Sequence, residues 1–368
     1  EKDKVSKSPY NPGFTKGLVH IRKPQSHFGW DWGPKLPPSG IFRAVYLKGV
    51  KSAYLGTPFI EQSHEDDYVD INLYCPIIDF KSKEYSYKLK IKTPSGEEIV
   101  NEGVCRDEIE RTVRIENPEL WFTHELSKKK KQPLYLIVLE LFDGENVIDR
   151  IEKRIGLRTI KLNTEPDRYG YNFCFELNGI AIFAKGANWI PADSFIDRFD
   201  EKRLRKLIDA ALFSNFNMLR VWGGGYYESD EFYDLCDEVG ILVWQYFAFA
   251  CNPYPLFNDD FLKNVLSEVE YNVKRLRHHA SLALWCGNNE IEQLSAAWRY
   301  SHDYYSWTET FFHKILREEV AKHDTITSYI PGSPTGISFL KGVNSDNVGD
   351  THLWGVWHGL HTPKYYLK

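Results

Sequence analysis

The chain has 368 residues, 42% hydrophobic and 26% charged, with a formal net charge of −5; this is ordinary globular material for two or three domains. A sequence pI near 6.2 leaves no electrostatic footprint for nucleic acid. No apolar run is long enough to span a bilayer, so neither nucleic acid nor membrane is an expected partner.

Aromatic residues reach 15%, with 11 Trp, 22 Tyr and 22 Phe. Flat rings suit sugars and protein partners, but for any single ring a place in the core is the default reading. The six cysteines (Cys75, Cys105, Cys174, Cys236, Cys251 and Cys286) are scattered, without a CxxC pair. Several lie inside apolar runs, as reduced thiols in a cytosolic protein do. With no N-x-[ST] acceptor in the sequence, localisation leans cytoplasmic. There is no initiating Met, and the expectation is an interior fragment of a longer protein. Nothing in the sequence gives an oligomeric state.

The first half reads as β. "IFRAVYLKGV" (Ile41–Val50), "YVDINLYC" (Tyr68–Cys75), "YSYKLKIKT" (Tyr85–Thr93) and "PLYLIVLELFDG" (Pro133–Gly144) alternate apolar and polar residues, separated by turns such as "TPSGEE". Short strands at this spacing predict a sandwich of antiparallel sheets, closed by Glu152–Leu162. The basic block at Ser127–Gln132 reads as a solvated loop.

After about residue 160 the pattern changes. "FCFELNGIAIFAKGANW" predicts a hairpin turning at Asn178–Gly179. The next helix places Leu204, Leu207, Ile208, Ala211 and Leu212 on one face. "SDEFYDLCDEVG" predicts a helix capped by Ser229 and stopped by Gly240. Strands are expected around Phe183–Ala187, Met218–Trp222, Ile241–Phe247 and Leu282–Cys286, with helices between them. That alternation argues for a parallel sheet wrapped by helices. No Gly-rich dinucleotide fingerprint follows any of these strands, so a barrel is preferred to a doubly wound sheet.

The stretch "SLALWCGNNEIEQLSAAW" (Ser281–Trp298) puts Glu290 just past the fourth strand, where barrel enzymes gather reactive groups. A proton donor there needs a raised pKa near neutral pH. Asn289 could hold a substrate hydroxyl. The competing role is structural: Asn288 or Asn289 caps the following helix, with Glu290 favouring its positive end. Glu292 is expected inside the helix, pointing elsewhere. His278 and His279 are read as favouring the negative end of the preceding helix.

"WCGNNE" resembles the acid/base motif of glycoside hydrolase family 2. "HFGWDWGPKLPPSGIF" (His27–Phe42), "NGIAIFAKGANWIPADSF" (Asn178–Phe195), "RVWGGGYYESDEFYDLCDEVGILVWQYF" (Arg220–Phe247) and "GDTHLWGVWHG" (Gly349–Gly359) resemble its β-mannosidase branch, in the same order along nearly the whole chain. The resemblance implies the end of a jelly roll (residues 1–50), an immunoglobulin-like sandwich (51–160) and the first part of a catalytic (β/α)₈ barrel (161–368). It implies a retaining exo-acting β-mannosidase with no cofactor and no metal, in which Glu290 is the general acid/base. The nucleophilic Glu would lie beyond Lys368, because no Ser-Glu-Phe-Gly-like motif occurs here; the 368 residues alone are expected to be inactive. By the same resemblance Asp31, Trp222, Trp298, His352 and Trp357 contact the sugar, beside Asn289 as read from the residues, and Arg220 supports the nucleophile. Read from the residues alone, Asp31 could cap its own turn, Arg220 could form an ion pair, and Trp222 could be core. "NNEIE" has Ile291 where many relatives carry Asn. Alternatives are another family 2 glycosidase, acting on β-galactosides or β-glucuronides, or a non-catalytic carbohydrate-binding protein.

Overall fold

The computed structural model describes residues 17–127, 129–298 and 302–367; for residues 296–298 and 302 it describes the backbone alone. Residues 53–155 form two facing antiparallel sheets. In one, the Tyr68–Asp79 strand pairs with Ala53–Leu55, Phe59–His64 and Glu108–Glu116. The other runs in the order Asn146–Ile155, Tyr135–Asp143, Tyr85–Lys92, Glu98–Cys105. Period-two alternation sends Tyr85, Tyr87, Leu89 and Ile91 inward. Leu89 lies opposite Leu139, and Ile91 opposite Ile137. They meet Val69, Ile71 and Leu73 of the facing sheet in one core. Each such buried aliphatic side chain contributes roughly 1.5–3 kcal/mol.

The second half holds five parallel strands in chain order: Gly186–Trp189, Met218–Val221, Leu242–Tyr246, Leu282–Cys286 and Ser328–Ile330. No reversal of order, as a doubly wound sheet has, occurs among them. Helices Glu201–Phe213, Asp230–Val239 and Asp259–Leu276 connect the first four. Two begin on side-chain caps: Asp200 accepts from Arg203 N at 2.8 Å and Asn258 from Phe261 N at 2.9 Å. The apolar stripe Val265, Val269, Val273 and Leu276 packs with Val243, Leu282 and Trp285 in the core of this half.

Buried Arg158 joins the halves, donating from Nε to Ala280 O (3.0 Å) and from Nη2 to Leu282 O (2.8 Å). Trp121 Nε1 donates to Asp237 O at 2.7 Å. The sandwich therefore sits at the amino-terminal end of the Leu282–Cys286 strand, leaving the opposite end free for the site.

The predicted hairpin is present, with Cys174–Leu177 pairing with Ile180–Ile182 and both turn residues, Asn178 and Gly179, at positive φ. Gly240 ends its helix in the left-handed region at φ 82°, but Ser229 makes no side-chain cap. Several expectations are corrected. Ile41–Val50 is not a strand; Val45, Tyr46 and Leu47 are exposed. Alternation supplies an apolar face but not the backbone pairing that a strand needs, and no described strand pairs with it. Among the described residues, 17–52 hold only short turns and one hairpin, Phe28–Trp30 with Gly33–Lys35. The first parallel strand is Gly186–Trp189 rather than Phe183–Ala187, because Ile180–Ile182 is already committed to the hairpin. The fifth, Ser328–Ile330, was not read from the sequence. Leu207 lies 42% exposed beside a surface cleft instead of in the core. His278 does not act as a cation at a helix end: burial and the nearby His279, Lys153, Arg277 and Arg275 hold its pKa well below the ordinary value. His279 Nδ1 pairs with buried Asp237 Oδ2 at 2.6 Å. Among the described residues no helix is long and apolar enough to cross a membrane. All six cysteines are free thiols.

Candidate active site

At the carboxyl ends of the parallel strands lies a cleft of ≈ 690 Å³. The backbone that places Glu290 is tightly determined. After Cys286, Asn289 makes one further parallel bridge on each side, to Ala250 and to Ser333. Gly287 permits the close approach: a Cβ there would lie 2.2 Å from Pro331 O. Asn288 caps the next helix, its Oδ1 accepting from Ile291 N at 3.0 Å, which is the structural role foreseen for one of the two asparagines. Glu290 takes φ 61°, the left-handed region that a non-glycine residue enters only when its surroundings impose it. Glu292 sits in the helix and pairs with His313 at 2.8 Å, away from the cleft.

The Glu290 side chain is 10% exposed and meets three donors. His352 Nδ1 lies 2.6 Å from Oε1, Trp354 Nε1 3.2 Å from Oε1, and Cys251 Sγ 3.3 Å from Oε2. Burial pushes the carboxyl up, but the His352 hydrogen bond and charge, with the bonds from Trp354 and Cys251, outweigh it and hold the pKa below the ordinary Glu value. Within this chain the direction is therefore opposite to the raised pKa expected of a proton donor, because donors from distant segments surround the carboxylate. Cys251 itself is pushed well up, by burial first and then by Glu290, so it stays a thiol. It accepts from Asn289 Nδ2 at 3.1 Å while donating to Glu290.

Arg220, in the second parallel strand, donates to Asn188 Oδ1 (2.6 Å), Asn289 Oδ1 (2.7 Å) and Tyr246 OH (2.8 Å). It is not in a carboxylate ion pair among the described residues. Asn289, expected at a sugar hydroxyl, has both ends of its amide engaged with Arg220 and Cys251, though it still lines the cleft. His352, expected at a hydroxyl, is bonded to Glu290 itself.

The facing wall is aromatic. Trp222 is 8% exposed and meets Trp30 and Trp32 edge-on, with centroids 4.8 and 5.7 Å away. The three-glycine run after it is structural: a Cβ on Gly224 would sit 1.8 Å from the Trp222 ring. Asp31 lies exposed between the two indoles of the hairpin, and Trp357, 76% exposed, stands at the rim. The Trp298 side chain lies outside the described residues. The structure therefore gathers Glu290, Asp31, Asn289, Trp222, His352, Trp357 and Arg220 around one cleft. Sequence reasoning missed Cys251, Trp354, Ser333 and Asp350; Trp354 and Asp350 stand in the noted "GDTHLWGVWHG" stretch, whereas Cys251 and Ser333 carry no sequence signal. A described group with metal-ligand spacing, Asp234, Asp237 and His279, lies away from the cleft, with Asp237 bonded to His279 and Ser281 N.

The family model described as glycosyl hydrolases family 2 matches residues 53–158, and that described as glycosyl hydrolase 2 galactose-binding domain-like matches residues 1–43. Beta-mannosidase B of Aspergillus clavatus is 35% identical over 357 residues, covering 93% of this chain and 41% of the relative. The Aspergillus fumigatus protein of the same name is 36% identical over 359 residues, with the same shares. The crystal structure of a β-D-mannosidase from Dictyoglomus thermophilum matches with a TM-score of 0.89 at 38% identity, over 100% of this chain and 45% of that one. The chain belongs to glycoside hydrolase family 2. This family 2 chain spans about two fifths (41%) of the length of the curated relatives it matches. A β-glucuronidase from Parabacteroides merdae, with a TM-score of 0.61 at 17% identity over 76% of this chain and 34% of that one, shares the fold.

Proposed function

We propose that this family 2 protein is a retaining, exo-acting β-mannosidase that releases terminal β-D-mannose from the non-reducing ends of manno-oligosaccharides. The observation that carries the reading is one buried carboxylate, Glu290, at the end of a parallel strand, facing a cleft walled by Trp30, Trp32, Trp222 and Trp354. The β-mannosidases among its relatives support the choice of sugar. In this reading residues 1–50 end a jelly roll, 51–160 are an immunoglobulin-like sandwich, and 161–368 are the first part of a (β/α)₈ barrel. The unbroken chain order of the five parallel strands supports the barrel.

Glu290 acts as general acid/base: it protonates the leaving oxygen as the glycosidic bond breaks, then takes a proton from the water that releases the sugar. Trp222 and Trp357 stack on sugar rings, and Asp31 accepts hydrogen bonds from hydroxyls. Arg220 and Asn289 order the floor; Trp298 is kept as a further stacking ring. Retention requires a nucleophilic carboxylate about 5 Å from the acid. The other described carboxyls lining the cleft are Asp31 and Asp350; Asp350 is already bonded to Ser333 and Thr335. The reading therefore keeps the nucleophile as a Glu outside residues 1–368. A second negative charge at that distance also raises Glu290 towards the protonated form that the first step needs.

The test is hydrolysis of chromogenic β-mannoside, β-galactoside and β-glucuronide by the intact natural protein, with the anomer first released followed by NMR. Preferential cleavage of the mannoside with retention is expected; faster turnover of either other glycoside overturns the reading.

A further inference from the structure

The imidazole bonded to Glu290 has a second set of partners. His352 Nε2 lies 2.9 Å from Ser333 Oγ, 3.3 Å from Arg220 Nη2 and 3.8 Å from Asp350 Oδ2. The Ser333 hydroxyl gives its single proton to Asp350 Oδ2, whose partner oxygen accepts from Thr335 N at 2.9 Å. With that proton spent, Ser333 can only accept at His352 Nε2, whereas Arg220 can only donate there. Nε2 is thus supported both with a proton, towards Ser333, and without one, towards Arg220. In both states Nδ1 keeps its hydrogen for Glu290. The His352 backbone N is fixed by Asn344 Oδ1 at 2.6 Å, so the ring is held from three sides.

We propose that His352 is a positioning residue for the acid/base: its Nδ1–H, kept on the carboxylate by Ser333 and Asp350 at the far side of the ring, orients Glu290 and sets how tightly it holds the proton it exchanges with substrate. This rests on Glu290 being the acid/base. The groups facing the pair are Cys251 and Trp354 at the carboxylate, Arg220, Ser333 and Asp350 at the imidazole, and Asp31 across the cleft. Taking the ring away removes the shortest donor to a buried carboxylate, so its titration moves up. An amide at the same position restores a donor near Nδ1.

The experiment compares His352→Phe, His352→Asn and Ser333→Ala with the wild type in the intact natural protein. The readouts are the pH profile of kcat/KM on an unactivated β-mannoside and the ¹³C shift of the Glu290 carboxyl, assigned by difference from Glu290→Gln. For His352→Phe the limb due to Glu290 moves up by about one pH unit or more and turnover at the optimum falls at least roughly tenfold. His352→Asn lies nearer the wild type, and Ser333→Ala moves the limb by a smaller amount in the same direction. Unchanged profiles, or identical behaviour of the Phe and Asn variants, overturn the proposal. If His352→Phe does not fold, Ser333→Ala carries the test, and no shift there overturns it. If the wild type cleaves no β-mannoside, the functional reading fails, while the carboxyl titration still decides whether His352 controls Glu290.

Discussion

The Trp222 indole stands edge-on to Trp30, with centroids 4.8 Å apart at 73°, so one wall of the cleft is shared between a parallel strand end and a hairpin from the start of the chain. Trp222→Ala removes a nearly buried ring and is expected to cost about 3–5 kcal/mol of stability. Gly224→Ala is the sharper probe, because its methyl group would displace the ring without deleting it. It should raise KM for the mannoside and change near-UV circular dichroism while leaving the melting temperature closer to wild type than Trp222→Ala does. An unchanged KM would remove Trp222 from the sugar pocket.

Glu290→Gln keeps the shape of the side chain but removes the exchangeable proton. Turnover of an unactivated mannoside should fall by about 10²–10⁴-fold. With an activated leaving group the first step needs little protonation and should suffer less, an asymmetry visible in burst-phase kinetics. Equal losses on both substrates would argue against Glu290 as the acid.

Glu228 gives a prediction separate from catalysis. Burial, opposed by the Trp189 Nε1 bond and by Arg43 and Arg275, lifts its carboxyl to about 7. The folded state then keeps a proton that the unfolded chain has released, from the ordinary carboxylate range up to about 7. Stability contributed by this group is full below that range, declines as pH rises through it, and levels off above. Glu228→Gln should flatten that slope in urea melts taken from pH 4 to 8; a wild-type curve with no such slope would contradict it.

Arg158 ties the sandwich to the parallel sheet through two carbonyls, and burial lowers its pKa to about 10. Arg158→Met should leave both acceptors unpaired, at about 1–3 kcal/mol each, lowering the thermal midpoint. Arg158→Lys should recover little, since one ammonium cannot reproduce the guanidinium fork. A melting temperature within a degree of wild type for the Met variant would show that the junction is held elsewhere.

The place of Glu290 at a strand end was legible because its signal is local: a buried strand, a break at Gly287 and a carboxylate within three residues. Three long strands of the sandwich, Tyr68–Asp79, Tyr85–Lys92 and Tyr135–Asp143, were legible for the same reason, through alternation along each segment. What surrounds Glu290 was not. Cys251 and Ser333 reach it because their strands flank Leu282–Cys286, and that order is a property of the sheet. The direction of the Glu290 shift within this chain was not legible, because the donors that set it come from segments distant in sequence. Ile41–Val50 shows the converse limit: a segment can have the right periodicity and find no described partner.

Ser26 N bonds to Gly224 O at 3.0 Å, and Arg22 pairs with Glu268 at 2.7 Å; these two ties hold the hairpin bearing Asp31 against the parallel half. In the proposed reading, recognition and reactivity therefore have separate points of failure. Loosening either tie would blur discrimination among sugars while leaving the proton chemistry intact, so selectivity can drift during evolution or engineering without any change near the reacting bond.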